Sequence, residues 1–474
     1  MAAKESVGLT IKKNEEFSEW YNQAVQKAGL ADYSAVKGFM IIRPYGYAVW
    51  ESIQNYFNER LNQLKVENAY FPLLIPESFF KKESEHAEGF TPEVAWIAKK
   101  EEGERLAIRP TSETVIYDAY SKWIRSWRDL PLRINQWCNV VRWETKMTKL
   151  FLRTREFLWQ EGHCVYETER ECEKETQSYL EEYKKLSEEL LAIPVLAGKK
   201  TEREKFAGAV YTLTIEAFMP DGKALQLGTS HNLGQSFAKS FGISYIGKDE
   251  KKHIPWQNSW GFSTRLIGGV VMVHGDDKGL VLPPKIAPVQ IVIVPIIFKK
   301  NKRGIMKKAE RIKEQLKEFR VKLDGREEYS PGWKFNEWEL KGVPIRIEIG
   351  PKEIAKNQAV IVKRNDGKKI PCKMTDLNKK IKKMLEDIQK EMFQKAKKFL
   401  NSSIVEAKTW DKFAAAIRQK KIAEALFCGG EGCEDWIKDE TGGANSRCII
   451  QEKQGECVCC KKPAKHLVYF SKSY

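Results

Sequence analysis

The chain has 474 residues, 42% of them hydrophobic and 11% aromatic, which is enough apolar material for two or three domains and excludes global disorder. Its formal net charge of +17 is spread along the sequence and favours a polyanionic partner such as RNA, although a basic protein without such a partner would carry the same charge. The amino-terminal stretch lacks the apolar core of a signal peptide, and the longest apolar run, residues 288–298, is shorter than the roughly 20 residues of a membrane helix. We therefore expect a cytoplasmic protein with no membrane role.

The first elements are predicted to be helix, strand and helix. Residues 14–28 place Phe17, Trp20, Tyr21 and Val25 on one helical stripe. A short strand then leads through Pro44 into a helix over residues 45–64. A strand over residues 69–74, closed by Pro76, follows it. Many α/β units share this order, so the pattern alone does not identify a function.

A short strand ends at Pro110 and is followed by Thr111, Ser112 and Glu113 at the start of a predicted helix. One interpretation is purely local. Thr111 or Ser112 would cap the helix, and Glu113 would oppose the helix dipole from the first turn.

A long hairpin is predicted over residues 132–163, with a basic loop at 145–150. A period of two places six side chains on one face of its second strand. These are Arg153, Arg155, Phe157, Trp159, Glu161 and His163, and Arg142 and Glu144 share a face of the first strand. Because unpaired charges are costly to bury, this face favours a binding site over a plain core. A solvated edge hairpin with surface ion pairs is the alternative, but it would expose two aromatic rings beside the charges.

The remainder of the first unit is predicted to hold a charged helix over residues 167–191, paired strands at 211–216 and 223–229, and a glycine-rich buried helix after Arg265. The composition changes after residues 283–284, and strands then alternate with helices as in a small α/β domain. A lysine-rich helix with an apolar stripe over residues 381–399 follows.

Most of the ten cysteines lie within residues 428–460. In an intracellular protein such a cluster favours a metal site over disulfides. Four thiolates from Cys428, Cys433, Cys457 and Cys459 suit a tetrahedral structural Zn²⁺ site. The pair Cys457-x-x-Cys460 would fit zinc as well, so the fourth ligand stays open between Cys459 and Cys460.

The string Arg-x-Glu, a basic loop and Arg-x-x-x-Phe at residues 142–157 resembles motif 2 of class II aminoacyl-tRNA synthetases. The longer string FLRTREFLWQEGH, residues 151–163, is similar to prolyl-tRNA synthetases of the archaeal and eukaryotic type. Residues 37–76 resemble motif 1, and the string WGFSTR followed by LIGGVV, residues 260–271, resembles motif 3. The resemblance extends over nearly the whole chain.

The resemblance implies an α/β (α+β) protein of three parts. Residues 1–284 would form a class II catalytic domain built on an antiparallel sheet. Residues 285–375 would form an α/β anticodon-binding domain, and residues 376–474 a zinc-binding α+β domain. The family activates L-proline with ATP and Mg²⁺ and transfers it to the 3′ end of tRNA(Pro). A catalytically silent RNA-binding paralogue is the rival hypothesis.

The resemblance also implies site residues. The proline site would comprise Thr111, Glu113, Arg142, Phe157, Trp159, Glu161, His163 and His231. The ATP site would comprise Arg142, Glu144, Arg153, Gln226, Thr229 and Arg265. Within these sets Arg142, Glu144 and Arg153 are the catalytic candidates. The planar guanidinium of the two arginines binds carboxylate and phosphate bidentately, and Glu144 would help to hold ATP or metal. Glu113 suits the charged ring nitrogen of proline, and Arg265 could stack on adenine.

Three further expectations follow from the resemblance. The motif 1 region would form a homodimer interface. Glu339, Arg346 and Lys363 would read anticodon bases, although surface salt bridges explain these three residues nearly as well. Only 62 residues separate His163 from Gln226, which leaves no room for an editing domain between motifs 2 and 3.

Overall fold

The computed structural model describes residues 8–84, 94–98, 103–143, 148–297 and 302–474, with backbone only for residues 81–84. No helix within these ranges is long and apolar enough to cross a membrane.

The amino-terminal unit is a mixed α/β assembly. Its helices are α1 (Phe17–Lys27), α2 (Pro44–Gln63), α3 (Glu77–Ser84), α4 (Glu113–Trp123), α5 (Glu169–Lys185), α6 (Ser236–Ser240) and α7 (Arg265–His274). Its strands are β1 (Ala31–Tyr33), β2 (Met40–Ile42), β3 (Glu67–Asn68), β4 (Leu74–Pro76), β5 (Ala95–Trp96), β6 (Leu106–Ile108), β7 (Leu132–Val141), β8 (Glu156–Tyr166), β9 (Leu196–Lys199), β10 (Tyr211–Phe218), β11 (Lys223–Gly234), β12 (Tyr245–Ile246), β13 (Lys252–His253) and β14 (Trp256–Ser263).

The second unit is the predicted small α/β domain. Its elements are β15 (Ile291–Pro295), α8 (Lys302–Gln315), β16 (Val321–Leu323), α9 (Pro331–Leu340), β17 (Ile345–Ile349), α10 (Pro351–Ala355), β18 (Gln358–Lys363) and β19 (Lys369–Lys373). The sheet order is β16-β15-β17-β18-β19. Strands β16, β15 and β17 pair in parallel, and the β17–β18 and β18–β19 pairs are antiparallel.

The third unit follows the long helix α11 (Leu377–Ser403), whose buried stripe includes Ile381, Leu385, Ile388 and Met392, as predicted. Its remaining elements are β20 (Ile404–Glu406), α12 (Trp410–Arg418), β21 (Ile422–Phe427), α13 (Glu431–Thr441), β22 (Asn445–Glu456) and β23 (Pro463–Ser473).

One sheet joins the first and third units. Its order is β20-β21-β23-β22-β9-β10-β11-β14-β8-β7-β3, and the six strands from β9 to β7 pair antiparallel. Strand β22 pairs with β9 through Ile449 and Lys199, and β23 pairs with β11 through Lys472 and Ser473. This continuity was not predicted, because strand partners far apart in sequence leave no local pattern.

Two predicted strands differ from the structure. The strand expected over residues 69–74 is replaced by the short β3 and β4, because Pro72 has no amide hydrogen to donate to a ladder. The second hairpin strand begins at Glu156, not at Arg153. Before it, the amide of Lys149 donates to the Arg153 carbonyl (2.7 Å), and Phe151 has φ of 60° in the turn between them.

Aromatic side chains dominate the core between α2, α5 and the sheet. Tyr179 stacks on Trp260 with ring centroids 4.0 Å apart, and Phe57 packs edge-on against Phe262 at 5.0 Å. Burial of a side chain such as Phe57 stabilises the fold by roughly 1.5–3 kcal/mol. A Cβ added at Gly162 would lie 2.1 Å from ring carbons of Trp260, so the packing here requires glycine.

We predict that Gly162→Ala lowers the free energy of unfolding by about 1–3 kcal/mol, because the Trp260 ring must shift. The matched control is Gly304→Ala in α8, where an added Cβ meets no atom within 4 Å and alanine favours the helix. Urea unfolding of both variants would test this. Equal stability of the two would contradict the packing argument.

Candidate active site and cysteine centre

The β7–β8 hairpin brings the predicted aromatic and polar side chains to one face. Its register pairs Val140 with Phe157, Cys138 with Trp159, Gln136 with Glu161 and Ile134 with His163. Side chains two residues apart on a strand share a face, so Phe157, Trp159, Glu161 and His163 lie in one row.

Arg142 lies where the hairpin meets the segment before α4. Its Nε donates to the carbonyl of Pro110 (3.1 Å). Its guanidinium carbon is 5.5 Å from the Phe157 ring centroid and 5.6 Å from that of Trp159, within the range of a cation–π contact. These contacts fix the guanidinium beside the aromatic row. Arg153 is exposed in the preceding turn, and Glu144 lies outside the described residues.

Glu161 is the centre of a buried hydrogen-bond network. Its Oε1 accepts from Ser112 Oγ (2.5 Å), Gln136 Nε2 (2.9 Å) and Cys138 Sγ (3.3 Å). Its Oε2 lies 3.0 Å from His163 Nε2. The carboxylate is 2% exposed, so these partners replace the water that it loses.

Burial raises the pKa of Glu161. The hydrogen bond and charge interaction with His163 and the hydrogen bonds from Ser112 and Gln136 outweigh burial, so the pKa lies below its usual range. On the other side of the imidazole, the Tyr117 hydroxyl lies 3.1 Å from His163 Nδ1. The sequence pointed to Glu161 and His163 but missed Ser112, Gln136 and Tyr117. Only Gln136 had a local signal, since it faces Glu161 across the hairpin.

Thr111 and Glu113 are both buried next to this network, and the Thr111 hydroxyl donates to the Glu113 carboxylate. Ser112 occupies the N-cap position of α4, but its side chain makes no capping hydrogen bond. The capping interpretation is therefore wrong for the two hydroxyls, which bond to carboxylates instead. Glu113 does lie in the first turn of the helix, as predicted.

Strands β11 and β14 extend the same sheet beyond β8, and Ser259 on β14 pairs with both His163 and His231, so the two histidines lie in one row across the sheet. His231 lies between two hydroxyls, with Nδ1 2.9 Å from Thr212 Oγ1 and Nε2 3.0 Å from Thr229 Oγ1. Burial, and then the nearby His163, lower the pKa of His231 to about 3, so its imidazole is neutral at physiological pH. Arg265 Nη1 donates to the carbonyl of Gln226 (3.4 Å), which brings these two predicted ATP ligands together.

The cysteine cluster has the geometry of a four-sulfur site. The Sγ atoms of Cys428, Cys433, Cys457 and Cys460 all lie within 4.8 Å of one another, and Cys459 is not in the group. The amide of Lys461 donates to the Cys457 carbonyl (3.1 Å) in a tight turn that brings residues 457 and 460 to the same side. The geometry thus groups the alternative fourth cysteine, Cys460, with the other three instead of Cys459, and the ligand set remains a prediction.

The sulfur spacing fits zinc. Cys428 Sγ is 3.7 Å from Cys433 Sγ and 3.8 Å from Cys460 Sγ. Four ligands at Zn–S distances of about 2.3 Å would place sulfurs about 3.8 Å apart in a tetrahedron. Burial raises the pKa of Cys428 and of Cys433, whereas at Cys460 burial is outweighed by hydrogen bonds from the Lys462 backbone and the neighbouring thiols, which lower its pKa to about 7. Metal binding requires the thiolate form of each ligand.

The three predicted anticodon residues lie around one small pocket of the second unit, beside Trp338 and Val343. Each also forms an ion pair. Glu339 pairs with Lys278 (2.9 Å), Arg346 with Glu348 (2.9 Å) and Lys363 with Glu391 (2.8 Å). The structure thus brings the three together and at the same time contains the salt bridges of the alternative interpretation.

We predict that Glu161→Gln lowers the free energy of unfolding by about 1–3 kcal/mol at pH 7, because charge-assisted hydrogen bonds are lost. The pKa of Glu161 is lowered by folding. Its stabilising contribution is therefore complete above the usual range of a glutamic acid and is lost as the pH falls through the lowered pKa.

The difference between wild type and variant should shrink as urea unfolding is repeated from pH 7 down to pH 3. The exposed Glu59→Gln is the matched control and should change little at any pH. A difference that is the same at all pH values would contradict an ionised Glu161.

Three parts of the sequence match models of known domain families. Residues 94–274 match the tRNA synthetase class II core domain (G, H, P, S and T), residues 290–384 match an anticodon binding domain, and residues 410–474 match the C-terminal domain of prolyl-tRNA synthetase. The predicted fold class is confirmed by these matches. The predicted boundaries at residues 284 and 375 remain predictions.

The chain is also similar to curated proteins over almost its full length. It is 52% identical over 467 residues to a proline–tRNA ligase of Alkaliphilus oremlandii, covering 97% of this chain and 96% of the relative. It is 51% identical over 480 residues to one of Natranaerobius thermophilus, covering 99% of both chains. A third, proline–tRNA ligase 2 of Bacillus thuringiensis, is 48% identical over 480 residues and is covered completely. The chain therefore belongs to the prolyl-tRNA synthetases, a class II family.

Proposed function

We propose that this aminoacyl-tRNA ligase activates L-proline with ATP and transfers the prolyl group to the 3′ end of tRNA(Pro), releasing pyrophosphate and AMP. The observation that carries the proposal is the placement of the Arg142 guanidinium beside an aromatic row that continues into the buried carboxylates Glu161 and Glu113. A cation next to an apolar slot with an anionic end complements a zwitterionic ring amino acid.

The amino acid would lie with its ring nitrogen towards Thr111 and Glu113 and its ring against Phe157, Trp159 and His163. A secondary ammonium offers two donors and a positive charge, which suit the Glu113 carboxylate. Neutral His231, in the same row across the sheet as His163, would border the site without adding a competing charge. Both oxygens of Glu161 already have partners within the protein, so Glu161 acts by holding Ser112 and His163 in place.

In the first step the proline carboxylate attacks the α-phosphate of ATP and pyrophosphate leaves. The carboxylate is already an anion, so no general base is needed. Arg142 reduces the repulsion between the two anions, and Arg153 would hold the outer phosphates. Glu144 is proposed to help hold ATP or metal. Gln226, Thr229 and Arg265 are proposed to bind the nucleotide, and Mg²⁺ would neutralise phosphate charge when bound.

We predict that ATP–pyrophosphate exchange depends on proline and that Arg142→Ala lowers kcat/KM at least about 100-fold, the usual cost of a lost charge-stabilising donor. The exposed Arg418→Ala in α12 is the matched control and should retain activity. Exchange would be measured with each of the twenty amino acids. Tight tRNA binding without exchange would favour the silent paralogue, and exchange with threonine instead would point to another class II enzyme.

We also propose that the chain is of the archaeal and eukaryotic type and lacks editing activity. The proposal of the type rests on the resemblance of residues 151–163 alone, and the curated relatives named above are bacterial. Between the end of β8 and the start of β11, the chain forms α5, a π-helical turn, β9 and β10, which leaves no room for an additional domain. Rejecting an amino acid that lacks ring methylenes is difficult by binding alone. Alanine errors would then need a separate protein, and release of alanine from mischarged tRNA by this chain would contradict that.

The cytoplasmic location remains a prediction.

A homodimer is proposed, with the motif 1 region as its interface. Apolar side chains near the amino end of α2 are exposed. They are Tyr33, Val36, Ile41 and Tyr47, at 44%, 52%, 55% and 42% exposure. Several exposed apolar side chains within one short stretch of the chain are what an interface would cover, and two-fold interfaces are the commonest. A monomeric mass by light scattering at micromolar concentration would exclude it.

We predict that the four-cysteine site binds one structural zinc ion, with Cys428, Cys433, Cys457 and Cys460 as ligands. Cys460→Ser should lose zinc and destabilise the third unit, since a closed structural site contributes to folding. Cys459→Ser is the matched control and should keep zinc. Elemental analysis after gel filtration would measure the metal, and zinc loss in Cys459→Ser alone would restore Cys459 as the ligand.

A further inference from the structure

The residues between β9 and β10, here called the 200–208 segment, reach the amino acid pocket. Residues 201–208 belong to no helix or strand, so their position depends on tertiary contacts. The Phe206 ring centroid is 4.7 Å from that of His231. The Phe206 amide donates to Thr212 Oγ1 (2.9 Å), the same hydroxyl that contacts His231 Nδ1. Phe206 is thus part of the wall that contains His231.

The same segment is paired with the third unit through the buried Arg447, whose partner Glu204 is 27% exposed. Arg447 on β22 lies with Nη2 3.6 Å from Glu204 Oε2 and Nη1 3.9 Å from Glu216 Oε2. Lys200 Nζ is 2.6 Å from Glu216 Oε1. The side chains of Arg447, Lys200 and Glu216 are 6%, 3% and 0% exposed. Because a buried charge is costly unless it is paired, removal of one member of this group leaves its partners without a counter-charge and destabilises their positions.

Further contacts join the segment to α13. Thr201 Oγ1 lies 3.1 Å from Ser446 Oγ, and Ser446 donates to Glu434 Oε1 (2.9 Å). Arg203 forms an ion pair with Asp435. This last pair is more exposed than the Arg447 contacts and contributes less. The segment therefore contacts the pocket through Phe206 and contacts β22 and α13 through Thr201, Arg203 and Glu204.

We propose that Arg447 of the third unit is a positioning residue for the amino acid pocket, through Glu204 and Phe206. The inference rests on the proposed function, since it assumes that the pocket beside His231 takes proline. Arg447 holds the turn that carries Phe206, and Phe206 holds the His231 wall in the arrangement that closes around the ring. ATP binds on the Arg265 side, so its affinity does not depend on this contact.

The test compares Arg447→Met, which keeps the length of the side chain but removes its charge, with Arg447→Lys, which keeps the charge. In exchange assays of the full chain, Arg447→Met should raise the KM for proline about tenfold, a coupling of ordinary size, and leave the KM for ATP within about twofold. Arg447→Lys, which keeps the charge, should have a KM for proline close to that of the wild type. Lys438→Met, an exposed charge on α13, is the matched control and should leave both KM values unchanged.

A second readout does not depend on activity. Trypsin cleaves after Lys205 only when the 200–208 segment leaves its docked position. Mass spectrometry should therefore detect the fragment beginning at Phe206 earlier in Arg447→Met than in wild type or Lys438→Met. Added proline should slow this cleavage in wild type.

The outcomes separate the inference from the proposed function. Suppose that the wild type exchanges with proline, but that Arg447→Met changes both KM values equally or changes neither. This result overturns the inference alone. Absence of proline-dependent exchange in wild type overturns the proposed function. If Arg447→Met does not fold, Glu204→Gln removes the same ion pair from its less buried side. It should show the same selective rise in the KM for proline.

Discussion

The buried carboxylate of Glu161 links three separate parts of the catalytic unit. It lies on β8 and is satisfied by Ser112 before α4, by Gln136 on β7 and by His163 two residues along its own strand. An unpaired carboxylate in this position would cost several kcal/mol. The hairpin register, the start of α4 and the orientation of the imidazole therefore have to agree. This agreement fixes the geometry of the slot before any substrate arrives.

The sequence carried much of this arrangement because the hairpin alternates strictly. Period-two alternation placed Phe157, Trp159, Glu161 and His163 on one face, and the pairing of β7 with β8 follows from it. The cysteine cluster was equally visible, since ligands close in sequence leave a local pattern. Long helices such as α2 and α11 were predicted within a few residues, because their apolar stripes extend over several turns.

Other features had no local signal. Cys459 and Cys460 are neighbours in sequence, and the choice between them depends on the turn that ends at Lys462. Ser112 resembles an ordinary N-cap until its hydroxyl is found on a carboxylate from another strand. The contact of Arg447 with Glu204 joins residues from different units. Such tertiary pairings depend on the whole fold, which periodicity cannot reveal.

The shared sheet has a consequence for synthesis on the ribosome. Strands β9 to β11 belong to the catalytic unit, yet their neighbours β22 and β23 are made much later, after the whole of the second unit. While the chain is being translated, β9 is left as an open edge with free amide and carbonyl groups, which can template aggregation. The nascent chain would thus depend on chaperones, or on rapid folding of the intervening domain, until the distant strands emerge and cover that edge.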